Sequence, residues 1–239
     1  MFAADWSNTE VHLQHGDLKQ IYANNAKRKT TIFTLQHASG WNYGDNFFFF
    51  DHLNYNGDND SDGDELYGEW YSNFSLSKLS GNSLSVGPIS DIGLIAGLNF
   101  APEVDTLYYL PGLRLSLDLP GFVFANLDIT AYIQDSDLLP KEDNSYMIDF
   151  NWAYPFTIGK ASFSIEGHIE YIAASDTANS GKRESWLLAQ PQFRYDLGKT
   201  LMKVENKVFI GIEYQFWQNK LGDKNTDENA AQLLAVWRL

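Results

Sequence analysis

The sequence predicts an all-β chain, a single transmembrane antiparallel β-barrel of about twelve strands with short periplasmic turns and longer extracellular loops. Three observations carry that prediction. Apolar and polar residues separate into odd and even rows from Ser90 onward. The alternating segments are as long as a tilted membrane strand, about ten residues, rather than the five or six of an average globular strand. The segments between them alternate between tight and long.

Strands are predicted to begin near Thr9, Thr30, Asp45, Glu65, Ile89, Thr106, Gly121, Ser145, Ala161, Ser185, Glu205 and Asn229. In the third, FFFF (47–50) has no alternation of its own, so its flanks must set the register. Asp45 and Asp51 share a parity with Phe47 and Phe49. Placing the carboxylates in the lumen leaves Phe48 and Phe50 to meet lipid, where charge is costly near mid-membrane. In the fifth, Ile92, Leu94, Ala96, Leu98 and Phe100 form one apolar row. The seventh alternates Val123, Ala125, Leu127 and Ile129 with Phe124, Asn126, Asp128 and Thr130. The eighth sets Tyr146, Ile148, Phe150 and Trp152 against Met147, Asp149, Asn151 and Ala153. The ninth sets Phe163, Ile165, Ile169 and Tyr171 against Ser164, Glu166, His168 and Glu170. The eleventh sets Val208, Ile210, Ile212, Tyr214 and Phe216 against Glu213 and Gln215. A period of two is the signature of a strand. Pro111 and Pro191 interrupt the sixth and tenth.

LPG (119–121) and TIGK (157–160) are tight, whereas DSDLLPKEDN, AASDTANSGKRE and NKLGDKNTDEN are long and polar. SKLSGNSLSVGP is longer than an inner turn needs. Without repeats or linkers, residues 1–239 read as one domain. A soluble sandwich or lipocalin-like barrel would share the period, with its polar rows facing water. Strand length, aromatics at strand ends and charge in the polar rows favour the inside-out barrel.

Composition removes several functions. A formal net charge of −14 argues against nucleic acid polymers, which need a basic footprint. The chain has no cysteine, so disulfides and thiolate chemistry are excluded. Aromatics make up 15% of it. No apolar run approaches a membrane helix. MFAADWS lacks the basic region and apolar core of a signal peptide, and reads equally as a processing scar or an added start Met.

DNDSDGDELYGE (58–69) fits a calcium loop, with Asp58, Asp60, Asp62 and the closing Glu69 as ligands. Its flanks are strand-like where an EF-hand needs helices. The segment therefore reads as a solvated hairpin tip, with weak calcium binding as the alternative.

The stretch FSLSKLSGNSLSVGPISDIGLIAGLNFAPE (74–103) and the segment GWNYGDNFFFFD (40–51) resemble the nucleoside-specific channel family of Tsx, which includes OmpK-type proteins. LPGLRLSLDLPGF, YPFTIG and LLAVW follow in matching order. The resemblance implies a twelve-stranded barrel in the bacterial outer membrane, a passive channel for nucleosides, and members that serve as bacteriophage receptors. The second strand, KTTIFTLQHAS, departs from the family in lacking acidic residues.

By alternation the lumen receives Glu69, Tyr71 and Asn73; Tyr108, Arg114 and Asp118; Phe124, Asp128 and Tyr132; Glu166, His168 and Glu170; Trp186, Gln192 and Arg194; Glu213 and Trp217; and Arg238. Substrate-binding candidates are Phe47, Phe49, Asp51, Glu69, Tyr71, Arg114, Asp128, Arg194, Glu213 and Trp217. Aromatic rings stack on a base, and carboxylates, amides and arginines hydrogen-bond hydroxyls. Paired lumen charges also serve structure, by fixing the barrel's shape. The alternative function is a surface barrel that binds a partner such as a phage through its loops. An enzyme is not expected, because no HExxH or G-x-S-x-G occurs. Only His168 has carboxylates at two-residue spacing on both sides, in Glu166 and Glu170, where a metal or acid–base site competes with a hydrated cluster. No cofactor is expected.

Overall fold

A chain that crosses a bilayer as strands must pair every backbone N–H and C=O, and only a closed sheet does so. The computed structural model describes residues 4–20, 26–56, 63–136, 139–178 and 181–239, and it closes in this way. The strands are β1 (Trp6–Gln20), β2 (Ala26–Trp41), β3 (Gly44–Asn56), β4 (Gly63–Ser75), β5 (Ile89–Ala101) and β6 (Thr106–Leu117). They continue as β7 (Phe124–Asp135), β8 (Ser145–Ile158), β9 (Ala161–Ile172), β10, β11 (Val208–Gln218) and β12 (Glu228–Arg238). Each pairs antiparallel with the next, and β12 returns to β1 with Arg238 opposite Glu10 and Leu233 opposite His15.

β10 comes in two pieces, Trp186–Ala189 and Gln192–Asp196. Both keep one register, Ala189 opposite Ile169 and Gln192 opposite Glu166, so Pro191 interrupts the strand without shifting it. Pro111 acts more mildly. β6 runs through it, while its pairing with β7 passes from Tyr109 directly to Gly112. A proline removes a ladder donor and does no more here.

Both described chain ends lie at the inner rim with the turns 42–43 and 159–160, where Gly159 at φ 62° permits the tight reversal. The asymmetry of turns and loops is less regular than the sequence suggests. The inner connection 76–88 carries a short helix, α1 (Leu76–Ser80), capped by Ser75 and ended by Gly81 at φ 71°. A second long inner connection, 197–207, was not foreseen. On the outer side, Pro102–Asp105 is a single turn. The outer 173–185 connection folds into a hairpin pairing Ser175–Thr177 with Gly181–Arg183.

The rows sort as the period requires. Leu94, Leu98, Leu113, Ile129, Ile148, Ile165, Ile210, Ile212 and Leu233 stand exposed on the outer surface. Glu10, His12, Gln14, Arg114, Asp128, Arg194, Glu213 and Gln232 are buried within. A soluble protein would reverse this, so the apolar outer band is the lipid face. Aromatic rings at its inner edge stack in sequence, with Phe156 on Phe163 at 5.5 Å and Phe163 on Phe193 at 5.5 Å.

Depth along that face has a measurable consequence. Ile212→Arg, in the outward band of β11, destabilises the barrel by about 2–4 kcal/mol, whereas Asn229→Arg at the outer end of β12 costs about 0–1 kcal/mol. Urea unfolding in lipid vesicles reads both values. Equal costs at the two positions would mean that the band does not face lipid.

Candidate functional site

Adjacent strands in a barrel turn alternate residues inward, so neighbouring polar rows meet in the lumen. Here they enclose a cavity of about 1340 Å³ that reaches from the inner mouth to about mid-height. One wall is aromatic. Phe47 and Phe49 from β3 and Tyr71 from β4 line it, with Tyr67 beside Phe49 at 6.0 Å between centroids. The wall across the lumen, from β10 round to β1, is an amide ladder that includes Gln14, Gln190 and Gln192.

Charge is organised by two arginines. Arg114 donates twice to Asp128, from Nε at 2.8 Å and Nη2 at 2.7 Å, and its Nη1 donates to Asp45 at 2.9 Å. Arg194 Nη1 lies 3.0 Å from Glu10 and 3.2 Å from Glu166. Glu10 also accepts from Arg238 at 2.7 Å and faces His12 Nε2 at 2.9 Å. At Arg114 the forked guanidinium matches the two oxygens of Asp128, whereas the fork of Arg194 is taken by Gln192 Oε1, and neither geometry is open to a lysine.

Three further carboxylates of the cavity rely on neutral donors. Asp51 accepts from Thr34 Oγ1 at 2.5 Å, and Glu69 accepts from Tyr67 at 2.5 Å and Asn99 at 3.2 Å. Glu213 accepts from three amides, Gln14 at 2.6 Å, Gln192 at 2.6 Å and Gln232 at 2.9 Å.

Above the cavity, side chains pack across the barrel. Tyr108 and Tyr132 stack at 4.2 Å, and Trp186 meets Tyr132 edge-on at 6.0 Å. Arg183, from the outer hairpin, lays its guanidinium 4.4 Å from the Trp186 ring and bonds Glu142 at 2.8 Å. Lys220, from the last outer connection, bonds Glu228 at 2.5 Å and sits 4.8 Å from the Trp217 ring. Burial pulls the Lys220 ammonium below its usual range against the pull of Glu228. Burial likewise raises the Glu142 carboxyl, with Arg183 opposing it.

Phe47, Phe49, Asp51, Glu69, Tyr71, Arg114, Asp128, Arg194 and Glu213 all line the cavity, and Arg194 and Glu213 are joined through Gln192. Trp217 does not line it. This ring lies higher, against the outer aromatic cluster. Asp118 falls beyond the end of β6, at the inner rim. Asp58, Asp60 and Asp62 lie outside the described residues. Glu69, which would close their calcium loop, is held inside β4 by Tyr67 and Asn99. Glu166 turns to Arg194, so the carboxylate that reaches His168 is Asp149, at 3.1 Å from the neighbouring strand. Glu10, His12 and Gln14 were overlooked, although they alternate with Val11 and Leu13 in β1. Arg183 and Lys220 come from loops, where no period marks a residue as inward.

The family described as nucleoside-specific channel-forming protein, Tsx, matches residues 3–237. No curated protein matches the chain. Among solved structures, the NanC porin is 13% identical with a TM-score of 0.54, covering 97% of this chain and 100% of that one. The KdgM porin is 9% identical with a TM-score of 0.51, over 95% of this chain and 98% of that one. Outer membrane phospholipase A from Escherichia coli is 13% identical with a TM-score of 0.52, over 100% of this chain and 97% of that one. At these identities the likeness is one of fold, and it extends to porins and an enzyme alike.

Arg114→Ala strands Asp45 and Asp128 without their cation. The expected loss is about 3–5 kcal/mol, read as a lower urea midpoint in vesicles. An unchanged midpoint would show that the pair carries no structural load.

Proposed function

The chain belongs to the family of the nucleoside-specific channel-forming protein Tsx and forms a channel barrel of the bacterial outer membrane; from that premise we propose that it passes nucleosides passively. The observation that carries this reading is the two-faced cavity. Phe47, Phe49 and Tyr71 offer π-faces to a flat base, and the amides and carboxylates across the lumen offer partners to ribose hydroxyls. The mid-lumen carboxylates repel a nucleotide's phosphate while leaving a neutral nucleoside unopposed. Glu213 already accepts three amides, so its part is to hold Gln14, Gln192 and Gln232 in position. Weak binding suits passage, because a solute held tightly stops the flow.

Passage also requires the outer side chains to part. Tyr108, Tyr132, Trp186 and Arg183 pack against one another above the cavity. Their stacked rings are the step at which a base would exchange one aromatic surface for another. A second reading, a surface receptor for a phage or other partner with little transport, is favoured by the same packing and by the hairpin tied down through Arg183 and Glu142.

Single-channel conductance in planar bilayers, titrated with adenosine, thymidine and a sugar, separates the two. The expected result is a small conductance with saturable block by the nucleosides alone. Absence of conductance would sink the channel reading and leave the receptor. Stacking is worth about 1–3 kcal/mol per base, so Phe49→Ala weakens the nucleoside block by roughly 5- to 150-fold. Tyr132→Ala opens the stacked pair and raises the conductance. If both variants behave as wild type, the aromatic path is not the solute's route.

A further inference from the structure

Asp149, His168 and Glu170 stand on adjacent strands, Asp149 directly opposite Glu170 in the β8–β9 ladder. Their nearest ligating atoms all lie within 4.8 Å of one another. Asp149 and Glu170 are buried, Glu170 at 7% exposure. Glu170 makes no ion pair with a lysine or arginine among the described residues. All three line the cavity, so on the channel reading proposed above the cluster lies in the solute's path.

A chain of amides outside the cluster orients the imidazole. The Glu228 carboxylate only accepts, so Gln215 must turn its Nε2 toward it, at 2.8 Å. Gln215 therefore offers Oε1 to the Nε2 of Gln190, at 3.0 Å. Gln190 then offers its own Oε1 to His168 Nε2, at 2.9 Å, which must carry the hydrogen. The other ring nitrogen, Nδ1, is left facing Asp149 Oδ1 at 3.1 Å, with Glu170 beside it. Two acceptors at that distance need a cation between them, either a proton or a metal ion. A ring whose far N–H is held by a carbonyl while its near nitrogen faces one carboxylate at 3.1 Å, with a second in the same cluster within 4.8 Å, has the outer-shell arrangement of a metal-ligating histidine.

We propose that Asp149, His168 and Glu170 bind a divalent transition-metal ion of the zinc class inside the lumen, and that the bound ion obstructs passage. One imidazole nitrogen and two carboxylate oxygens suit Zn²⁺, with water in the fourth position. Tetrahedral bonds near 2.1 Å place ligand atoms about 3.4 Å apart, so modest side-chain rotation from the present spacing suffices. Calcium and magnesium prefer all-oxygen shells of higher coordination number and are poor occupants.

Calorimetry of the full chain in detergent micelles, titrated with zinc chloride, tests the site without relying on any solute. One ion per barrel is the expected result. Gln190→Ala, which frees the ring, should weaken binding about 10- to 100-fold, and His168→Ala should abolish it at the lumen. Heat-modified mobility on gels confirms that each variant is folded. Zinc block of conductance that vanishes in Glu170→Gln places the ion in the path. No zinc binding, or binding unchanged in His168→Ala, would overturn the proposal and assign a proton to the gap.

Discussion

Closure of the sheet is the constraint on which everything else in the molecule depends. Hydrocarbon offers no partner to a free backbone donor, so the seam between β1 and β12 must be as complete as any interior ladder. That seam runs from Glu10 opposite Arg238 to His15 opposite Leu233. It is reinforced from within, because Glu10 gathers Arg238, Arg194 and His12 from β12, β10 and its own strand. Removing Glu10 would leave two guanidinium groups without their shared carboxylate at the place where the barrel joins itself. The same ion cluster therefore closes the barrel and lines its inner chamber.

Putting polar rows inside creates a problem of charge. Buried carboxylates outnumber the cations available to them, and the protein answers in two ways. Some are fixed by forked arginines, as Asp45 and Asp128 are by Arg114. Others lean on tyrosine, threonine and glutamine donors, as Glu69, Asp51 and Glu213 do. The first arrangement sets shape. The second leaves carboxyl groups at mid-lumen whose hydrogen-bond partners are all neutral side chains. One population of lumen side chains thus divides in two, distinguished by whether an arginine reaches them.

The loops complete the lumen from outside. Arg183 and Lys220 descend from outer connections to meet Trp186 and Trp217 on the strands. Each cation has a carboxylate partner and an aromatic face, a pairing that holds position in a partly desolvated site. The outer half is accordingly a packed collar over an open inner chamber, and two loop residues help to build that collar.

Much of this was legible in the sequence, because a strand's period of two assigns every residue to lipid or lumen once one register is known. The strands begin within four residues of their predicted positions, and the parity of Asp45 and Asp51 placed Phe47 and Phe49 against the cavity. Pro191 looked like a possible break in β10 and proved to be an interruption within one register. Alternation gives the facing of a side chain, though not its partner. Which carboxylate meets His168, Asp149 rather than Glu166, depends on the stagger between β8 and β9 and on the competing reach of Arg194. Trp217 shares a row with Glu213, yet it stands four residues nearer the outer end of β11, against the collar above the chamber. Arg183 and Lys220 lie outside any period, and only the folded loops bring them inward. Local chain geometry thus determined the class, the strand count and the facing of the rows; the partners within the lumen were decided by tertiary closure, because they come from strands and loops whose separation in sequence says nothing of their distance across the barrel.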